Sequence, residues 1–139
     1  MASERRRLAR INFATAIDVG RATLELGLAR LRLSSRPVHA LVDAAPICPH
    51  KLTGRQIALV EVVTYAIPRV AARLPWRADC LVQALAAKRW LGRHGVATTL
   101  TLGVPPDKPA DFEAHAWLSV GDRIVTGGDV SGYVPLARP

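Results

Sequence analysis

At Val96 the chain changes its hydrophobic period, and that change decides what kind of fold it can adopt. Val96, Thr98, Leu100, Leu102 and Val104 fall on one face of a two-residue repeat, with Ala97, Thr99, Thr101 and Gly103 on the other. Such alternation marks a half-buried strand. Phe112 to Val120 alternates again, with Ala114, Ala116, Leu118 and Val120 on one face and His115, Trp117 and Ser119 on the other. Gly121-Asp122 fits a two-residue hairpin turn, and Arg123 to Thr126 returns as a third strand. Gly127-Gly128 ends or bulges that strand, and Tyr133-Val-Pro-Leu136 packs back as a tail.

Before Val96 the spacing is helical. Over residues 4–33, Leu8, Ile11, Ala14 (or Thr15), Asp18, Ala22 and Leu26 trace one stripe, and Leu24, Leu28 and Leu31 a second. The period is nearer 3.6 than 2, which predicts one long helix broken near Gly20 or two shorter ones. Thr53 is a cap-like start for a helix striped by Ile57, Val60, Val63, Ala66 or Ile67, and Val70. Pro68 should kink or divide that helix, and Pro75 should end the segment. Residues 79–93 form a further helix with Asp79 as N-cap and Gly92 and Gly95 as stop signals. It is apolar over so much of its girth that it should be buried. The predicted class is therefore α+β, with a helical part over 1–74 and a core over 75–139 in which one helix packs on a small antiparallel sheet. The whole of 1–139 is expected to be a single domain.

Half the residues are apolar, enough for a core without disulfide staples. Lysine and arginine total 19 against 11 acids, a net charge of +8, which favours an anionic partner. The first helix carries much of that arginine, either as a solvated face or as a dock for an acidic peptide. The sequence has no stripe of interleaved aromatic and basic residues, which argues against nucleic acid. There is no window of eighteen apolar residues, so no membrane span is expected. Met1-Ala-Ser-Glu-Arg-Arg-Arg is not followed by an apolar run, so no signal peptide is expected either. The expected setting is a reducing cytoplasm with Cys48 and Cys80 as free thiols rather than a disulfide. Cys48 and His50 lie two apart, but with no second pair they make a poor zinc set, and no metal or other cofactor is expected.

Two residues carry chemistry. Cys80 falls in the first turn of its helix, where the macrodipole and unpaired amides favour a thiolate. Those amides, the N–H of Cys80 included, can also receive the oxyanion of a tetrahedral intermediate. His115 lies thirty-five residues on, mid-strand between two alanines, with room for a helix to cross closely. Taken singly, Cys80 could be a small core residue and His115 a hydrogen-bonded core histidine; together they suggest nucleophile and base. A third group should orient the imidazole. With Gly121-Asp122 as the turn, Val120 pairs with Arg123 and His115 with Gly128, which leaves Asp129 one residue past the partner on the opposite face. A bulge at Gly127-Gly128 would correct this, so Asp129 is the favoured acid and Glu113, on the His115 face, the second. Trp76 and Trp117 bracket the pair and are expected to wall a substrate cleft.

Trp76-Arg-Ala-Asp-Cys-Leu-Val-Gln-Ala-Leu85, Gly95-Val-Ala-Thr-Thr-Leu-Thr-Leu-Gly-Val104 and Phe112-Glu-Ala-His-Ala-Trp-Leu118 together resemble the lasso peptide biosynthesis B2 proteins, of the transglutaminase-like, papain-related cysteine protease superfamily. The resemblance is strong over residues 75–128 and looser before them. It implies a transglutaminase-like core and a cytoplasmic cysteine protease that removes the leader from a ribosomally made lasso peptide precursor. It also implies a separate leader-binding B1 protein as partner and a lasso cyclase acting on the freed core. By position, Cys80 matches the family nucleophile and His115 its base. Members often carry Asp twelve residues after the His, where this chain has Gly127 and reaches Asp129 only two residues later. The rivals are a thiol acyltransferase or amide-forming enzyme of the same fold, and a basic non-enzymatic module binding peptide or nucleic acid.

Overall fold

In a computed structural model of the protein, residues 2–37, 51–106 and 114–136 are described, with backbone alone for 2–14. Cys48, His50 and Glu113 lie outside the described residues. Among the described residues, three helices precede a four-stranded antiparallel sheet: α1 (Ala2–Ser35), α2 (Gly54–Ala71), α3 (Cys80–Gly92), β1 (Thr99–Val104), β2 (His115–Val120), β3 (Arg123–Thr126) and β4 (Val134–Pro135). The α+β class is as the change of period predicts.

α1 runs unbroken through Gly20, against the expected interruption there. A single mid-helix glycine costs only about 1 kcal/mol, which a long packed helix can absorb. Ala22, Leu26 and Ala29 are buried along it, whereas Leu24 and Leu31 of the expected second stripe are exposed. Glu25 is buried instead, held by Arg21 from the preceding turn (2.9 Å) and by Arg89 of α3 (3.0 Å). The ion cluster ties α1 to α3 where the sequence pattern would place an apolar contact.

α2 starts with a capping box: Gln56 N donates to Thr53 Oγ1, and Thr53 N to Gln56 Oε1. Pro68 does not divide the helix, which continues to Ala71. The missing N–H falls in its last turn, where only one backbone bond is lost.

α3 begins where the sequence places it. Asp79 Oδ1 accepts from Val82 N at 3.1 Å, capping the first turn. At the other end Gly95, with φ 74°, takes the left-handed turn that lets Val96 N reach Leu91 O. Gln56 of α2 also donates to His94 O at 3.0 Å, which fixes the end of α3 to the start of α2.

The strand order is β3-β2-β1-β4, which puts β2 inside the sheet. Residues 133–136 do more than pack back, because Val134 and Pro135 pair with Val104 and Gly103 as a fourth strand. The 121–122 turn sets Val120 opposite Arg123, as expected. The register then slips between Leu118 and Ser119, leaving Val125 as the extra residue. The bulge is thus earlier than the expected 127–128. One core joins α1, α2, α3 and the sheet, with Leu26, Ile67, Leu91, Leu100 and Leu118 fully buried. Each such side chain contributes roughly 1.5–3 kcal/mol. Among the described residues no helix is long and apolar enough to cross a membrane.

Candidate active site

The site forms at the end of the β2–β3 ladder. β3 stops at Thr126, and Gly127 and Gly128 then turn the chain with φ 111° and 68°, values that suit glycine. Ala116 on β2 therefore has no strand residue facing its amide on this side. Its N–H instead donates to Cys80 Sγ, 3.5 Å away. The sulfur reaches this edge because α3 packs across β2 and starts at Cys80.

His115 alternates with Ala116, so its side chain starts from the face opposite that of the buried Ala116. Its Nε2 lies 2.7 Å from the carbonyl oxygen of Gly127. The imidazole ring lies against Tyr133 at 4.7 Å, tilted by 31°, and approaches Trp117 at 6.1 Å. Cys80 and His115 share the wall of a cavity of about 460 Å³. No direct hydrogen bond joins the two side chains; they meet across that cavity. Cys80 is a free, half-buried thiol.

The first-turn amides of α3 have no intrahelical carbonyl to bond, and Asp79 satisfies only that of Val82. The Cys80 N–H is therefore available beside its own sulfur. Gln83, one turn further along α3, also lines the cavity while its Nε2 donates to Ala78 O. Thr64 and Pro68 of α2 and Ile124 to Thr126 of β3 complete the wall. Sequence reasoning missed these residues. Gln83 had a readable signal, being three residues from Cys80 on one helical face. The α2 and β3 contributions depend on packing.

The remaining expected residues lie elsewhere. Asp129 is exposed, and its Oδ1 accepts from Ser131 N at 3.0 Å. Those hydrogen bonds, from the Ser131 backbone first and its side chain second, hold the Asp129 carboxyl below its ordinary value. No hydrogen bond or ion pair links Asp129 to His115, because the chain has already turned away at the two glycines. Trp76 does not line the cavity; it packs against the core with the Arg30 guanidinium 5.3 Å from its ring centre. Trp117 is buried and seated between glycines: a Cβ on Gly103 would come within 2.6 Å of its ring, and one on Gly127 within 2.5 Å of its Cβ. It supports the imidazole without walling the cavity. Among the described residues no group of three or more His, Cys, Asp or Glu could hold a metal ion.

Residues 22–138 match the transglutaminase-like superfamily. The chain belongs to that superfamily. Neither curated proteins nor solved structures yield a match. The matched span takes in α2, α3 and every strand, so the transglutaminase-like domain includes both Cys80 and His115. Membership of the superfamily suggests thiol-based protease or acyltransferase activity.

Proposed function

We propose that this transglutaminase-like protein is a cysteine peptidase that removes the leader from a lasso peptide precursor, working with a separate leader-binding B1 protein. The observation that carries the reading is the shared cavity of Cys80 and His115, with the sulfur at a helix start. The likeness to lasso peptide B2 proteins in residues 76–85, 95–104 and 112–118 supplies the substrate and the partner. The free Cys80 thiol goes with a cytoplasmic site of action.

In the proposed reaction, His115 takes the thiol proton and the Cys80 sulfur attacks the carbonyl carbon of the scissile amide. The Cys80 N–H receives the developing oxyanion. The imidazolium gives its proton to the leaving nitrogen, the C–N bond breaks, and the amine of the core peptide departs. Water deprotonated by His115 then attacks the thioester, releasing the leader carboxylate and restoring the thiol. An acyltransferase would pass through the same thioester but deliver the acyl group to an amine.

The test is cleavage of the precursor with and without a leader-binding partner, read by product mass. Wild type should release the intact leader with a free carboxylate. Cys80→Ala and His115→Ala should lose turnover by on the order of 10⁴-fold or more. Undiminished cleavage by Cys80→Ala would refute the peptidase, and an amide-linked product would favour the acyltransferase.

A further inference from the structure

We infer that the backbone carbonyl of Gly127 takes the part of the acid in this site: it fixes His115 in its Nε2–H tautomer and leaves Nδ1 as the base. The inference rests on the proposed thiol chemistry for its purpose, but on geometry for its content.

A carbonyl oxygen has no proton to give. At 2.7 Å from Gly127 O, His115 Nε2 must be the donor, so the neutral ring keeps its lone pair on Nδ1. The carbonyl is itself firmly placed. Gly127 adopts φ 111°, where a side chain would be strained, and its Cα packs against Trp117 so closely that a Cβ would collide at 2.5 Å. Trp117 is wedged in turn against Gly103 of β1. Tyr133 lies against the imidazole at 4.7 Å, its ring tilted by 31°, and limits its rotation. Among the described residues, the titratable side chains around the imidazole are the Cys80 thiol across the cavity and the Tyr133 hydroxyl. The Asp129 carboxylate is engaged with Ser131 in its own turn. Gly127 is thus a positioning residue that acts through its main chain, and its partner to the imidazole is neutral.

The tautomer can be read without any substrate. Long-range proton–nitrogen correlation spectra of the full, ¹⁵N-labelled chain, with the His115 signals assigned by their loss in His115→Gln, should show a protonated Nε2 and an unprotonated Nδ1 in the neutral ring. Asp129→Asn should leave that pattern in place. Gly127→Ala, if folded, should mix the tautomers and lower kcat more than it raises KM; if it does not fold, the wild-type and Asp129→Asn spectra decide. An Nδ1–H tautomer in wild type, or a tautomer that changes in Asp129→Asn, would overturn the assignment. Failure of wild type to cleave the precursor while the Nε2–H form is observed would sink the peptidase reading and leave this one standing.

Discussion

The amide of Ala116 donates to the sulfur of Cys80 at 3.5 Å, so that sulfur is tied to the strand residue next to His115. The thiol and the imidazole are thereby held by adjacent positions of β2, although α3 supplies one and the sheet the other. Anything that moves the start of α3 should therefore be felt at the site.

Asp79 is the first such lever. Asp79→Ala removes the acceptor for Val82 N and should cost about 1 kcal/mol of stability. Turnover should also fall, because the first turn carries the sulfur. Asp79→Asn should restore most of both. Denaturant unfolding beside a cleavage assay checks the pair; equal stability in Asp79→Ala and wild type would contradict the cap.

Gly103 is the second. In Gly103→Ala the new methyl would meet the Trp117 ring at 2.6 Å and the Val134 carbonyl at 3.0 Å. Overpacking of this kind costs roughly 1–3 kcal/mol. The expected result is a lower unfolding midpoint together with weakened pairing of β4, seen as faster amide exchange in residues 134–136.

Glu25 should be among the most sensitive positions outside the site. Glu25→Ala leaves Arg21 and Arg89 facing a buried vacancy between α1 and α3. Breaking a buried ion pair from one side typically costs about 3–5 kcal/mol, and the partial exposure of both arginines puts the expectation near the lower figure. Urea unfolding measures it, and a loss under about 1 kcal/mol would mean that water already serves these guanidinium groups.

Asp18 gives a pH-dependent effect. Burial beside the groove between α1 and α2 raises its carboxyl above the ordinary 3.8. The folded chain then holds this proton more tightly than the unfolded one. Stability is lost as pH climbs from 3.8 through the raised value, and the loss stays constant above it. Asp18→Asn should gain on wild type at about pH 7, and the gain should vanish at about pH 3. Unfolding curves for both proteins at the two pH values test the sign.

Much of this arrangement is legible in the sequence where local chemistry decides. Asp79, the 121–122 turn and the alternation in β1 and β2 each state their role within a few residues. Thr53 and Gln56 belong to the same group. The reading fails where tertiary packing overrides local pattern. Gly20 and Pro68 look like breaks, yet a long helix carries the one and a last turn tolerates the other. Glu25 looks like surface because its partners are four residues and sixty-four residues away. The position of Asp129 depended on where the hairpin would bulge. A bulge at Val125, followed by two left-handed glycines, cannot be counted off an ideal ladder. Trp76 and Trp117 look alike as large aromatics near the site, but cation and glycine contacts from distant segments give them different tasks.

β4 is two residues long and joins the sheet through β1 alone, by pairs at Gly103 and Val104. The residue just before it, Tyr133, is the one that rests on the imidazole. The histidine held by the Gly127 carbonyl is therefore also braced by a short clasp at residues 133–135. A cut or fusion there would loosen the imidazole while leaving the sulfur open to alkylating reagents.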